Sequence, residues 1–237
     1  MKHIVQFSGG KDSTCMLLMM LERGMQVDEI IFCDTGMEFP QMYEHIEKVE
    51  QYVGRKITRL KAPHSFEYYL LEYRRTRGKY MHIKGLGWST MQARRCTAHM
   101  KRDVFERYVR GMKYINYIGI ASDEPKRHKN IPANVRHPLF EWGVSEKQAL
   151  EYCYNHGFDW GGLYKKFDRV SCWCCPLQGL KELRTLYHEF PNLWARLKEL
   201  DEKSWNQFRE DYSVAELEAK FIREDNGKRI AISLWDE

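Results

Sequence analysis

Ile4-Val5-Gln6-Phe7-Ser8-Gly9-Gly10-Lys11-Asp12-Ser13 is the stretch that decides how this chain folds. Residues 2–7 are apolar-rich and β-branched and stop at Ser-Gly-Gly, the pattern of a strand running into a turn. From Ser13 to Arg23 the composition is helical, with Leu17, Leu18 and Leu21 on one side and Gly24 as a stop. Strand, Gly-Gly loop and helix in that order make a cradle for phosphate. The two glycines let backbone N–H groups turn inward without a Cβ in the way. The helix N-terminus adds partial positive charge, Lys11 a full one, and Ser8 and Ser13 supply hydroxyls. The spacing Gly-x-x-x-x-Gly-Lys is absent, so this is not a Walker A loop.

Working outward, Asp28 to Cys33 reads as a second strand ended by Asp34-Thr35-Gly36. A helix follows from Pro40 to Val53, then a short strand over Lys56 to Leu60. Tyr114 to Ile120 is a further strand, followed by the polar loop Ala121 to Asn130. Strands alternating with helices predict an α/β fold, a doubly wound, mostly parallel sheet with helices on both faces. Ligands of such sheets sit beyond the carboxyl ends of the strands, so the three polar loops are expected to converge on one crevice. After His137 the texture changes. Ser145 to Asn155 reads as a helix capped by Ser145, a Gly/aromatic loop leads to a cysteine cluster, and Lys181 to Asp201 reads as helices interrupted at Pro191. The expected division is an α/β domain over residues 1–140 and a smaller, mainly helical, cysteine-bearing part over 141–237.

Bulk properties narrow the setting. No apolar run approaches the roughly 20 residues of a membrane span, and the N-terminal apolar stretch is too short for a secretory signal. A cytoplasmic protein with no membrane partner is expected. Seven cysteines then argue for metal, cluster or thiol chemistry more than for disulfides. Net charge is only +5, but Arg55 to Arg110 holds fifteen Lys/Arg against four Asp/Glu. Phosphate-rich partners are the natural reading, tRNA or DNA through residues 55–110 among them. Within it, Arg74 to Trp88 mixes cations, glycines and aromatics, which suits a nucleic-acid backbone with Tyr80 or Trp88 stacked on a base, a lid over a nucleotide, or a solvated loop.

The hexapeptide Ser8-Gly9-Gly10-Lys11-Asp12-Ser13 resembles the PP-loop of the adenine nucleotide alpha-hydrolase-like superfamily. Asp34-Thr35-Gly36-Met37-Glu38-Phe39-Pro40 is similar to the strand-two motif of its phosphoadenosine phosphosulfate (PAPS) reductase branch. Gly119-Ile120-Ala121-Ser122-Asp123-Glu124 with Arg127 resembles that branch's Gly-Ile-Arg-x-x-Glu-Ser segment, Ala121 standing where Arg is often found. The likeness runs from Lys2 to about Leu180. It implies ATP cleavage between the α- and β-phosphates, with Ser8 to Ser13, Asp34, Thr35, Gly36, Glu38, Gly119, Asp123, Glu124 and Arg127 around the adenine nucleotide. Lys11 and Asp12 would act in catalysis, and Asp123 or Glu124 would help hold Mg²⁺. A homodimer is left open.

Cys172-Trp173-Cys174-Cys175-Pro176 contains Cys-x-x-Cys-Pro, a pattern shared with iron–sulfur ligation. Two thiolates make half a tetrahedral site. Cys96, in the basic segment Arg94-Arg95-Cys96-Thr97, is the expected third ligand, since positive charge stabilises thiolate. The readings are a 4Fe–4S cluster on Cys96, Cys172 and Cys175, a Zn²⁺ staple, or buried thiols. Cys174 is a second-rank ligand or a nucleophile; Cys15, Cys33 and Cys153 read as packing residues. Three functions follow. The first is an ATP pyrophosphatase that adenylates a substrate for sulfur transfer from a sulfur donor. The second is a sulfonucleotide reductase, disfavoured because no cysteine follows Cys175 and the tail from Asn226 to Glu237 has no Glu-Cys-Gly-x-x-His motif. The third is a non-catalytic nucleotide- and nucleic-acid-binding module with structural zinc.

Overall fold

The computed structural model describes residues 1–170 and 172–233, with side chains in the last helix through residue 227. In chain order the main elements are β1 (Lys2–Gln6), α1 (Lys11–Glu22), β2 (Glu29–Asp34), α2 (Pro40–Val53), β3 (Ile57–Lys61), α3 (Arg95–Thr97), α4 (Asp103–Tyr108), β4 (Tyr114–Ile118), β5 (Val135–Arg136), α5 (Pro138–Glu141), α6 (Glu146–Asn155), α7 (Leu163–Lys166), α8 (Leu180–Glu189), α9 (Pro191–Lys203) and α10 (Val214–Ser233). Single π-helical turns cover Tyr68–Glu72 and Ala98–Arg102. The chain divides into two compact units, residues 1–63 with 98–172 and residues 64–97 with 173–237.

The first unit is built on a five-stranded sheet in the order β3-β2-β1-β4-β5. Every pairing is parallel. Ile4 and Val5 point to opposite faces of β1, yet both are fully buried, as expected when helices cover both sides. On one face Ile4 and Ile31 pack with Phe105 and Val109, from and just beyond α4. α1 packs on α6 and buries Cys15, Met16, Leu17, Leu18 and Met20. α6 starts as its sequence predicts, the Ser145 hydroxyl accepting from Gln148 N–H in a capping box. The strand order reverses at β1, which has β2 on one side and β4 on the other. The crevice of a doubly wound sheet opens at that reversal, and Ser8 to Lys11 leaves β1 there.

The second unit takes its core from two distant stretches of chain. Trp88 is buried, edge-on to Phe208 at 5.0 Å and tilted against Phe66 at 6.0 Å. The Asn206 side chain accepts from Trp88 N–H at 2.8 Å and donates to its carbonyl at 3.3 Å. Leu183, Leu186, Trp194, Leu197, Leu200, Leu217 and Phe221 bury the inner faces of α8, α9 and α10. No helix among the described residues is long and apolar enough to cross a membrane.

Candidate functional site

The loop between β1 and α1 is shaped by two close approaches. Gly9 sits at φ +79°, and a Cβ there would lie 2.5 Å from Met42 Sδ. Gly119, just past β4, meets backbone rather than a side chain: a Cβ would stand 2.8 Å from Asp12 C and from Ser13 N. Gly119 therefore acts by letting the end of β4 touch the first turn of α1. Ala121, two residues on, is fully buried.

Inside the loop, Ser13 Oγ donates to the Gly10 carbonyl at 3.0 Å and accepts from Ser8 N–H at 3.2 Å. Its one hydrogen being used, the Ser8 hydroxyl is the donor in their 3.1 Å contact. The two serines thus hold the loop's shape, where the sequence suggested donors to a ligand. Among the described residues the backbone N–H groups of Gly9, Gly10, Asp12 and Ser13 donate to nothing. These amides are the cradle.

Lys11 lies over them with its side chain 10% exposed. Its ammonium is 2.9 Å from Asp12 Oδ1 and 3.1 Å from Glu146 Oε2 at the start of α6. Burial raises the Asp12 carboxyl above the usual carboxylate range, with Lys11 pulling the other way. Asp123 accepts from Glu146 N–H at 3.0 Å and so anchors α6, while Glu124 is held by Arg127 at 2.8 Å.

A segment that sequence reasoning passed over as an aromatic loop braces the cradle from behind. Trp160, Gly161 and Gly162 all have left-handed backbone, with φ +52°, +58° and +79°. For a tryptophan that conformation costs of order 1 kcal/mol, and it persists because the surroundings fix it. The buried Trp160 indole donates to the Gly9 carbonyl at 2.7 Å. Its ring stacks on His45 at 4.3 Å, and His45 Nε2 meets Thr14 Oγ1 at 2.9 Å. Burial holds His45 neutral, its pKa lowered to about 3. The Tyr164 hydroxyl accepts from Lys11 N–H at 2.8 Å, and burial keeps it protonated by pushing its pKa up. The adjacent Gly-Gly at 161 and 162 was the one sequence signal for this brace.

The second motif is tied to the cysteine segment. Asp34 accepts from Gly36 N–H and from the Tyr43 hydroxyl, each at 2.8 Å, with Lys61 at 3.4 Å. Thr35 Oγ1 donates to the buried Glu38 carboxylate at 3.1 Å, and Lys101 lies 3.5 Å from the same oxygen. The Thr35 hydroxyl hydrogen being used, Cys172 Sγ is the donor in its 3.6 Å contact with Thr35 Oγ1. Glu38 and Cys172 also form an antiparallel backbone bridge.

Cys172 closes the first unit; Cys96, Cys174 and Cys175 belong to the second. In that second unit Ser89 Oγ donates to Cys96 Sγ at 3.4 Å and accepts from Cys96 N–H at 3.3 Å. Cys174 is 2% exposed, whereas Cys96 and Cys175 are half-buried. Arg209 braces the turn after Cys175 by donating to the carbonyls of Pro176 at 3.3 Å and Gln178 at 2.6 Å. Among the described residues no three His, Cys, Asp or Glu side chains gather to hold a metal ion. Of the packing cysteines, Cys15 and Cys153 are buried, and the neighbouring Cys15 together with burial pushes the Cys153 thiol up. Trp88, suggested above for stacking on a base, is instead a core residue at 1% exposure.

A parallel α/β sheet thus carries a loop of undonated amides and a lysine at its reversal point. The chain belongs to the phosphoadenosine phosphosulfate reductase domain family, whose pattern covers residues 2–178. It is 29% identical over 219 residues to an uncharacterized protein of Methanocaldococcus jannaschii, covering 84% of this chain and 42% of that one. A second uncharacterized protein of that organism is 24% identical, over 79% of this chain and 45% of its own length. An uncharacterized nin region protein of Escherichia phage lambda is 28% identical, over 63% and 58% respectively. The chain thus spans about half the length of the curated relatives it matches. The PAPS reductase of Candida auris, solved as a phosphate complex, superposes with a TM-score of 0.48 at 16% identity, covering 72% of this chain and 81% of that one.

Proposed function

We propose that the first unit binds ATP with Mg²⁺ and cleaves it between the α- and β-phosphates, adenylating a substrate oxygen for replacement by sulfur. The observation that carries this reading is the Gly9-to-Ser13 cradle, with its undonated amides and Lys11 beside them. The substrate oxygen bonds to the α-phosphorus as the bridge to the β-phosphorus breaks, and the electron pair leaves with pyrophosphate. Lys11 and the amides meet that developing charge where they already stand. Inorganic sulfide then adds to the activated carbon, and AMP departs with the substrate oxygen. Lys11 must first exchange its carboxylate partners for phosphate. Asp123 or Glu124 would help hold Mg²⁺ on leaving its present partner, Glu146 N–H or Arg127.

The thiol set suits a soft metal centre. Cys96, with a hydroxyl donor on its sulfur, and the half-buried Cys175, both of the second unit, would supply thiolates to a 4Fe–4S cluster or Zn²⁺. A cluster with three protein thiolates would supply an iron open to sulfide. Anaerobic purification followed by iron, sulfide and zinc analysis tests this: brown protein absorbing near 400 nm supports the cluster, and colourless protein with stoichiometric zinc overturns it.

A second reading, reduction of a sulfonucleotide, is favoured by the Cys172 thiol on Thr35 of the nucleotide motif. Product analysis separates the two. Pyrophosphate and AMP from ATP, lost in Lys11→Ala, support the first; sulfite from PAPS or adenylyl sulfate supports the second.

A further inference from the structure

The second unit carries a surface that the nucleotide reading leaves unused. From Arg74 to Arg95 the chain has seven Lys/Arg and no Asp/Glu. Arg74, Arg77 and Lys79 are exposed, and among the described residues none of them pairs with a carboxylate. A run of unneutralised cations is costly to hold together by self-repulsion, which a polyanion relieves.

Aromatic rings sit within that charge. Tyr80 and Trp205 stack at 5.5 Å with their planes 29° apart, and they are 36% and 37% exposed. The Arg75 guanidinium lies 5.8 Å from the Tyr80 ring and 5.7 Å from the Trp205 ring, and the Lys79 ammonium lies 5.5 Å from Tyr80. Arg75 is held in place by donating to the carbonyls of Tyr80 at 3.1 Å and Leu86 at 2.8 Å. The pair is therefore fixed in a half-exposed position by its neighbours. Trp205 also lines a cleft of about 430 Å³ with Leu71, Glu72, Ile83, Lys84 and Lys203. Lys84 and Lys203 stand at its wall, Lys84 3.3 Å from Glu72 and Lys203 2.6 Å from Glu199.

We propose that this face of the second unit binds single-stranded nucleic acid, a base stacking against the Trp205–Tyr80 pair and the backbone following Arg74, Arg77, Lys79 and Lys84. Charge alone would accept any polyanion. The half-exposed rings beside the cleft select a chain whose bases offer free faces, and a duplex hides those faces in its own stack. Base–ring stacking tolerates any sequence, so the surface selects strandedness over sequence. The site lies wholly within the second unit and is independent of the nucleotide reading.

Fluorescence anisotropy of the full chain with labelled oligothymidylate and oligouridylate, each about 15 nucleotides long, tests this. A duplex of equal length and heparin serve as comparisons. The wild type should bind both single strands more tightly than the duplex, and log Kd should rise with log salt by about 0.7 per phosphate contacted. Arg74→Ala/Arg77→Ala/Lys79→Ala should weaken binding to all four probes by about tenfold or more and flatten the salt slope. Tyr80→Leu, and Trp205→Leu if its circular dichroism matches wild type, should weaken single-strand binding by about fivefold or more and leave heparin unchanged. The proposal is overturned if the wild type binds neither single strand at low salt, if duplex and single strand bind alike, or if the folded Tyr80→Leu variant keeps wild-type affinity.

Discussion

Gly119→Ala places one methyl group where β4 meets the phosphate loop, and its effect follows from the geometry. Gly119 lies outside the left-handed φ range that strains a side chain, so the substitution is a steric test. The new Cβ would stand 2.8 Å from Asp12 C and Ser13 N and 2.9 Å from Asp12 O, all backbone atoms that no rotamer change moves aside. Ordinary contact begins near 3.4 Å, so the first turn of α1 must retreat by about 0.6 Å. Overpacking against unyielding backbone costs about 2–3 kcal/mol, a fall in Tm of about 4–12 °C for a chain this long. The same retreat draws the Asp12 and Ser13 amides back from a bound phosphate. A hydrogen bond lengthened by that amount leaves the useful range. Losing one or two such bonds to a charged group weakens ATP binding by about tenfold to a hundredfold. Gly10→Ala is the comparison, because its Cβ would meet only side-chain hydroxyls, Tyr164 at 3.2 Å and Ser8 at 3.7 Å, and its φ is −76°. Differential scanning calorimetry reads the first effect and isothermal titration with Mg·ATP the second. A Gly119→Ala protein with wild-type Tm and wild-type ATP affinity would refute the packing argument; a lowered Tm with unchanged affinity would refute only the assignment of those amides to phosphate.

Three further outcomes follow from the same site. Tyr164→Phe removes the acceptor for Lys11 N–H, so Tm should fall by about 2–4 °C in a thermal melt, the effect of roughly 1 kcal/mol. Glu146→Gln frees Lys11 from one of its two carboxylates; that glutamate is 44% exposed and its ion pair weak, so calorimetry should show ATP binding tightened by up to about fivefold. His45 has its folded pKa lowered to about 3 by burial, so between that value and its unfolded pKa of about 6.5 the unfolded chain binds the extra proton. Stability contributed by neutral His45 is therefore complete above pH 6.5 and is lost on acidification, by at most about 1.4 kcal/mol per pH unit. In urea melts across that window His45→Gln should show a shallower loss than wild type, and parallel curves would contradict the assignment.

Much of this arrangement is legible in the sequence because it is local. Gly9-Gly10 after an apolar strand announces the loop, and Ser145 with Gln148 announces α6. α1 begins at Lys11, two residues earlier than its composition suggests, because Gly10 with extended backbone takes the cap position. β5, only two residues long, is too short for any periodicity to register. Arg74 to Trp88 reads as a basic stretch for nucleic acid, a lid or a solvated loop, yet Leu86 and Trp88 are buried. The Trp88 partners Phe208 and Asn206 come from more than a hundred positions away, beyond the reach of a local pattern. The Tyr164 and Trp160 brace was hidden for the same reason, each contact joining residues over 150 apart in the chain. The backbone bridge from Glu38 to Cys172, which joins two motifs read separately, was likewise invisible.

The central claim is that the Gly9-to-Ser13 cradle serves cleavage of ATP. Anaerobic incubation of the full chain with Mg·ATP, sulfide and a pool of small-molecule and RNA acceptors, and in parallel with PAPS or adenylyl sulfate and a thiol reductant, with AMP, pyrophosphate and sulfite quantified in each, tests it most directly. The account predicts equal amounts of AMP and pyrophosphate from wild type, and neither from Lys11→Ala. Sulfite released from PAPS or adenylyl sulfate, with ATP left intact, would contradict it.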